Sequence, residues 1–375
     1  MSNPIYFPIF LAKAGEIEAI GRLSPQVQAL TCPILDIPLQ KRADRRTLEA
    51  YLNDKVLEIL HVWGNRYPLY LDLSRHEPEA TLSNGRPIAE YLFELARLAK
   101  LNAVPVAGPL SIRGPSFQYL DSVARIAGTD RRGIALRLPT EYFSTEEALA
   151  KSIAEPVRQL SVSAADMDVV LDVNAIPLGD EDLQDHVSLA AMLRRATLQL
   201  HDLGVRKVIF CGSNLPDGTV RHRKGEFLKI PRIEYRVWRS LAPDFPDLGF
   251  GDYGVTHPRQ SEPDGPVIPP SRVRITTDDE YELWKGGRDE IRSVCASAVD
   301  SGSLSRDSWG ASAVRECAAG YGNPGAAKDW VAHDTNMHVT ATVNSMFRIL
   351  PRLVATGSYE RRPWLQDALD LWRDN

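Results

Sequence analysis

The sequence predicts an α/β protein, a (β/α)8 barrel of the TIM type followed by a mainly helical C-terminal extension. Eight short apolar runs alternate with helix-like segments, and this alternation indicates a parallel sheet. Runs such as residues 169–171 and 208–210 are continuously apolar, which is typical of strands covered on both faces. Eight repeats within roughly 250–300 residues favour closure into a barrel. The first run lacks a GxGxxG turn after it, so an open doubly wound sheet is the less favoured alternative.

The elements of this barrel can be placed in chain order. Strand patterns cover residues 5–11, 33–37, 68–73, 103–107, 133–138, 167–173, 206–211 and 248–252. Apolar residues at three- and four-residue spacing predict helices at 16–30, 47–62, 87–101, 115–127, 145–160, 182–203 and 231–241. Each helix has the apolar stripe that it needs to pack on a sheet.

The alternation of strand and helix patterns ends after the eighth strand. Residues 258–270 are rich in proline and predict an extended connector. Residues 271–287 predict a hairpin inserted in the barrel, and 288–300 predict the eighth barrel helix. We therefore assign residues 1–300 to the barrel and 301–375 to a helical extension packed on it.

Composition narrows the class of protein. The net charge of -5 provides no overall attraction to nucleic acid or anionic membrane. The start of the chain lacks a signal-peptide pattern, and no apolar stretch is long enough to span a membrane. The four cysteines are far apart and form no CxxC pair, which predicts buried free thiols. We expect a cytoplasmic protein with no membrane partner.

Polar residues at the predicted strand ends are the candidates for chemistry, because barrel active sites lie at the C-terminal ends of the strands. The candidate catalytic residues are Lys13, Glu16, Asp36, Asp72, Arg137 and Asp172, and the candidate ligand-binding residues at strand ends are Ser213 and Asp252. Neighbouring carboxylates could hold a divalent cation, and one could act as a general base. The structural alternative is that each aspartate caps the turn that follows it.

Three of these aspartates lie within or beside apolar runs. Asp36 follows Ile34-Leu35, and Asp72 and Asp172 occupy similar settings. Burial of an unpaired carboxylate is costly, so we expect Lys13 or Arg137 to pair with them. Such a pairing could also be purely structural.

Two further segments carry charge or metal-binding residue types. The loop after strand seven, residues 212–230, contains Arg221, Arg223 and Lys224, which could bind phosphate or form a solvated loop. The segment 330–338 contains His333, Asp334 and His338 without zinc spacing. We predict that it forms a hydrogen-bonded turn against the barrel.

Several motifs resemble the phage and prophage "beta protein" family. The opening YFPIFLAKAGEIEAI and the following CPILDIP match its first two strands, and RVRITTDDEYELWKGG and GNPGAAKDWVAHDTNMHVTATV match its tail. Asp36 stands where the family pattern has Glu, and Asn336, Met337 and His338 stand where the tail has two adjacent His. The resemblance supplies no catalytic residues. It implies a bacterial or phage cytoplasmic protein that acts beside a nuclease-like partner.

Two functions follow from these observations. The favoured one is an accessory or binding protein of phage–host conflict, with a phosphate-bearing ligand or a partner protein at the barrel mouth. The alternative is a metal-assisted hydrolase, a phosphodiesterase in which Glu16, Asp36, Asp72 and Asp172 hold the cation. Lys13 and Arg137 would then neutralise developing charge. A purely structural phage component is less favoured, because the chain lacks repeats and long coiled coil.

Overall fold

The computed structural model describes residues 4–41, 44–108, 117–177, 182–216, 225, 227–258, 271–287, 289–304, 308–322 and 324–355. Eight parallel strands pair in chain order: β1 Ile9–Leu11, β2 Ile34–Asp36, β3 Leu69–Asp72, β4 Ala103–Ala107, β5 Ile134–Pro139, β6 Met167–Ala175, β7 Lys207–Ser213 and, after one strand of another sheet, β9 Gly249–Gly251. The first and last strands meet, since Phe7 N donates to Phe250 O at 2.7 Å and Ile9 N to Asp252 O at 2.7 Å. The predicted barrel is therefore confirmed.

Helices separate the strands. They are α1 Ala14–Gly21, α2 Pro25–Leu30, α3 Leu48–Trp63, α4 Ile88–Leu98, α5 Phe117–Asp130, α6 Glu146–Leu160, α7 Asp182–Asp202 and α8 Ile233–Leu241. The helix predicted over 16–30 is two helices. Ser24 caps the second, its Oγ accepting from Val27 N at 3.4 Å, and Pro25 occupies the first helical turn. Proline lacks the N–H that a continuous helix would need at this position.

The barrel has an inner and an outer face that follow the alternation of strand side chains. Phe7, Ile9, Ile34 and Tyr70 belong to a compact cluster inside the barrel, which also contains Val104, Val106, Ala135, Val170, Ile209, Cys211 and Tyr253. The neighbouring strand residues form a larger cluster with the surrounding helices. Residues two positions beyond an inward side chain also face inward, so Asp36, Asp72, Arg137 and Asp172 point into the C-terminal mouth.

A second sheet adjoins the barrel. The predicted hairpin is present as β10 Arg272–Thr276 and β11 Glu280–Lys285, which pair antiparallel. A third strand, β8 Phe227–Pro231, pairs antiparallel with β11. Residues 227–230 of this strand belong to the segment 212–230 that was predicted as a loop. Lys229 in its centre pairs with Glu280 and Glu282 across the sheet, so a charged residue is stabilised in a strand.

Three helices follow: α9 Ile291–Asp300, α10 Trp309–Ala318 and α11 Ala327–Ala355. The prediction of a turn at 330–338 was wrong, because these residues lie within α11. Val339, Val343 and Met346 of α11 belong to the barrel's outer core. By contrast, α9 and α10 form a separate apolar cluster with Val273 and Ile275.

Helix α11 occupies the place of the eighth barrel helix. Asn336 Nδ2 donates to Ala19 O of α1 at 3.0 Å, and Tyr235 Oη of α8 donates to Ser345 Oγ at 2.8 Å. Helix α9, which lies in the segment 288–300 predicted for that role, packs instead on β10. All four cysteines are free and buried, as predicted. No helix in the described ranges is both long enough and apolar enough to cross a membrane.

Candidate functional site at the barrel mouth

Arg137 joins two of the predicted carboxylates at the mouth. Its Nε donates to Asp172 Oδ2 at 2.8 Å, and its Nη1 donates to Asp72 Oδ2 at 2.8 Å. Three buried strands hold these groups: β3, β5 and β6. The expected pairing of Arg137 with the buried aspartates is present. Charge-assisted hydrogen bonds of this kind offset part of the cost of burying these charges inside an apolar barrel.

Both aspartates also cap the turns that follow their strands. Asp72 Oδ1 accepts from Ser74 N at 2.8 Å, and Asp172 Oδ1 accepts from Asn174 N at 2.9 Å. The predicted capping role and the pairing with Arg137 therefore coexist, one on each carboxylate oxygen. Each of these two carboxylates has a donor for both of its oxygens.

Two residues of the mouth were not among the candidates predicted from the sequence. Tyr253 Oη donates to Asp172 Oδ2 at 2.6 Å and accepts from Arg137 Nη2 at 2.8 Å. Arg75 Nε donates to Asp36 Oδ2 at 2.6 Å. Tyr253 comes one residue after the last predicted strand, and Arg75 three residues after Asp72. Strand alternation identifies Tyr253, because Gly251 and Tyr253 share the inward face.

Asp36 differs from the other two aspartates. It lies opposite Asp72 on the adjacent strand, and its Oδ1 is buried without a hydrogen-bond partner among the described residues. Burial raises the pKa of Asp36 to about 6, with a further increase from the charge of Asp72, while Arg75 and Arg137 act in the opposite direction. The mouth thus contains a buried carboxylate oxygen for which the described residues provide no donor.

The guanidinium of Arg137 provides a positive charge between two of the carboxylates. Arg137 lies between Asp72 and Asp172, the position that a divalent ion bridging them would take. Across the described ranges, no group of three or more His, Cys, Asp or Glu side chains is placed to hold a metal ion. The metal set proposed from the sequence is therefore not assembled in this structure.

Glu16 is not grouped with the carboxylates of the mouth among the described residues. Glu16 is buried on α1, and burial raises its pKa to about 7. The charges that most oppose this increase are those of Lys13, Arg274 and Lys55 rather than Arg137. Glu16 lies in the first turn of α1, and Lys13 is the N-cap residue of that helix.

Asp252 points away from the mouth. It is fully buried on the outer face of the barrel, where Oδ1 accepts from Tyr6 Oη at 2.6 Å and Oδ2 lies 3.0 Å from His338 Nε2. The same nitrogen lies 2.9 Å from Tyr6 Oη, and His338 Nδ1 lies 2.8 Å from Thr276 Oγ1. This network joins the barrel to α11 and β10.

The remaining ligand-binding candidates lie at and after strand seven. Ser213 is buried at the end of β7, and its Oγ accepts from Leu215 N at 3.2 Å. Arg221, Arg223 and Lys224 lie outside the described residues. Their role stays a prediction.

Comparison with known proteins identifies the family of the chain. The family model described as Beta protein matches residues 6–344. The chain belongs to the Beta protein family. Among solved structures, this family member resembles triosephosphate isomerase from Bartonella henselae, with 12% identity, a TM-score of 0.32, and coverage of 66% of this chain and 91% of that chain. No curated protein matches the chain. The fold rests on the strand order itself.

Proposed function

We propose that this Beta protein binds a small phosphate-bearing ligand at the barrel mouth, with Asp36 accepting a hydrogen bond from it. The observation that supports this proposal is the buried Asp36 Oδ1, which has no partner among the described residues. An unsatisfied buried acceptor costs about 1–3 kcal/mol, so a ligand hydroxyl or amine at this point would recover that energy.

The guanidinium of Arg75 borders the same site. The Arg75 side chain is 35% exposed while it pairs with Asp36, so the guanidinium can also face a bound anion. The segment containing Arg221, Arg223 and Lys224 follows strand seven, where barrels often bind phosphate. A nucleotide combines hydroxyl donors, which suit the carboxylate of Asp36, with a phosphate, which suits the basic residues.

Titration calorimetry with AMP, GMP, CMP, UMP and NAD+ tests the proposal, with inorganic phosphate as the anion-only comparison. At least one nucleotide should bind the wild type. Asp36→Asn should weaken that binding about tenfold or more, because a hydrogen bond to a charged group is lost. Asp168→Asn is the matched control, since Asp168 is equally buried but pairs with Tyr70 and Arg206 at the opposite end of β6. No binding by any nucleotide, or equal binding by both variants, would contradict the proposal.

We place this binding activity in phage–host conflict, in the cytoplasm and beside a nuclease-like partner protein. Membership of the Beta protein family supports this context. Plaque counts on bacteria that express the wild type should be lower than on bacteria that express Asp36→Asn. Equal counts with both proteins, over a panel of phages, would remove the assignment to conflict.

The metal-assisted phosphodiesterase is the weaker candidate. Arg137 occupies the space between two of its proposed ligands, and Glu16 is not grouped with them among the described residues. A magnesium or manganese titration that raised the melting temperature of the wild type, but not of Asp172→Ala, would restore this candidate.

A further inference from the structure

The ion pair with Asp36 uses only part of the hydrogen-bonding capacity of Arg75. Among the described residues, the Arg75 side chain donates through Nε alone, to Asp36 Oδ2 at 2.6 Å. The Nη groups of a guanidinium carry further N–H donors in the same plane, and this fork suits two oxygens of a phosphate. Because the side chain is 35% exposed, these donors can meet a ligand that enters the mouth.

The backbone around Arg75 is held in place at the end of β3. The carboxylate of Asp72 caps the turn that contains Arg75, and His76 N donates to Leu73 O at 2.9 Å across it. The guanidinium is held separately, by Asp36 on the neighbouring strand β2. A side chain that is fixed at both ends loses less conformational freedom when a ligand binds. Arg75 is thus prepared to bind an anion without rearrangement.

Donors and an acceptor for a ligand lie side by side on this ion pair. Asp36 Oδ1 is buried without a donor among the described residues, and it belongs to the carboxylate that holds Arg75. A ligand that contacts both residues must carry a hydroxyl or amine close to its phosphate. In a nucleotide the sugar hydroxyls are a few bonds from the phosphate, whereas an amine of the base lies beyond the whole sugar. The spacing therefore favours recognition of the sugar.

We propose that Arg75 and Asp36 together recognise the sugar phosphate of a ribonucleotide, with the Arg75 fork on the phosphate and Asp36 Oδ1 on a hydroxyl of the ribose. This proposal rests on the binding function proposed above and names the part of the ligand that determines affinity. The base makes the smaller contribution. Ribonucleotides with different bases, and ribose 5-phosphate itself, then bind through the same two contacts.

Titration calorimetry on the wild-type full chain tests this with AMP, 2′-deoxy-AMP, 3′-deoxy-AMP and ribose 5-phosphate. One of the two deoxynucleotides should bind at least about tenfold more weakly than AMP, because a hydrogen bond to a charged carboxylate is lost. Ribose 5-phosphate should bind more tightly than that deoxynucleotide. The reverse order, or a smaller difference for both deoxynucleotides, would overturn the proposal and leave nucleotide binding standing. Absence of binding by every nucleotide would overturn both.

Two variants separate the two contacts. Asp36→Asn should weaken the binding of AMP more than that of the deoxynucleotide without the recognised hydroxyl, because that ligand makes no contact with Asp36 Oδ1. Arg75→Lys keeps the charge but loses the fork, so it should weaken the binding of AMP and of ribose 5-phosphate by a similar factor, about tenfold.

Arg97→Lys is the matched control for the second variant. Arg97 Nε also donates to an aspartate at 2.6 Å, Asp130, but this pair lies at the C-terminal ends of α4 and α5, opposite the mouth. Arg97→Lys should leave the affinity for AMP unchanged. Unchanged affinity in Arg75→Lys, or an equal loss in Arg97→Lys, would show that Arg75 does not hold the phosphate. An equal effect of Asp36→Asn on AMP and both deoxynucleotides would overturn the contact between Asp36 and the ribose.

Discussion

Arg137 is the residue that organises the barrel mouth. Its guanidinium donates to Asp72, Asp172 and Tyr253, and its side chain is only 15% exposed. Removal of a cation from such a cluster leaves buried carboxylates without a counter-charge, which is more costly than loss of the hydrogen bonds alone.

We expect Arg137→Met to lower the free energy of unfolding by about 3–5 kcal/mol, the usual cost of breaking a buried ion pair. Urea denaturation at neutral pH would measure the change. Arg194→Met is the control, because Arg194 is 45% exposed and pairs with the exposed Asp244, and it should cost less than about 1 kcal/mol. Similar values for the two variants would show that Arg137 is not a structural centre of the mouth.

Asp334 should make stability depend on pH. It is fully buried on α11, and burial raises its pKa to about 7 in spite of the opposing charge of Arg274. A folded-state pKa above the unfolded value means that the folded protein binds the proton more tightly. The contribution of Asp334 to stability is therefore greatest below its unfolded pKa and declines as the pH rises to about 7.

Asp334→Asn should remove this decline. We expect the difference in unfolding free energy between variant and wild type to shift in favour of the variant between about pH 4 and pH 7, by a few kcal/mol at most. Urea titrations at several pH values would measure it. Asp54→Asn, at a 53% exposed position, should show no comparable trend. A constant difference across the range would contradict the assignment.

At the scale of elements, close approach of backbones fixes the position of α11. A Cβ atom at Gly310 of α10 would lie 2.1 Å from His333 O, and one at Gly15 of α1 would lie 2.9 Å from Lys328 O. Both glycines let a neighbouring helix contact the backbone of α11. A side chain at either position would push the helices apart.

Gly310→Ala should therefore lower the free energy of unfolding by about 1–3 kcal/mol through overpacking. Gly128→Ala in α5 is the matched control, because a Cβ there meets nothing within 4 Å, and alanine should stabilise the helix by up to about 1 kcal/mol. Chemical denaturation of both variants would measure these changes in the free energy of unfolding. A stabilised Gly310→Ala would mean that the helices can separate at little cost.

The sequence predicted the elements whose periodicity is strong and missed those stabilised by distant partners. All eight barrel strands and the helices from α3 to α8 lie where their apolar patterns place them. The N-terminal part of α11 was misread because Asp334, Asn336 and His338 are polar in its sequence but buried in the structure. Their partners are Arg274, Gly310 N and Thr276, which no local pattern reveals.

In the candidate site too, some residues could be predicted from the local sequence pattern and others could not. Asp72, Arg137 and Asp172 could be predicted because each stands at the inward end of an apolar run. Asp252 looked equivalent from the sequence, but one step along a strand reverses the direction of a side chain. Its neighbour Tyr253 has the inward position instead. Arg75 lies in a loop, where sequence spacing does not predict the direction of a side chain.

At the scale of the whole molecule, α11 belongs to the barrel's core although it follows the predicted boundary at residue 300. Val339, Val343 and Met346 share the outer core with the barrel strands and helices. The division into 1–300 and 301–375 stays a prediction, and these contacts lead us to expect that the first part depends on the second.

A chain ending at residue 326 should therefore lose the cooperative unfolding transition of the full chain. Without α11, the outer core loses Val339, Val343 and Met346, and the buried Asp252 loses its partner His338. Thermal unfolding followed by near- and far-ultraviolet circular dichroism would measure the change. A sharp transition with native near-ultraviolet signal would establish residues 1–326 as an independent unit.

The hydrogen bond between Tyr6 and His338 joins residues 332 positions apart. During synthesis, all eight barrel strands leave the ribosome before the helix that covers the closing strands. The nascent chain must then hold Tyr6 and Asp252 uncovered until α11 is made. Contacts this distant in sequence form slowly and leave surfaces open to misassociation. We therefore expect folding of this barrel to be completed only after its last helix has been synthesised.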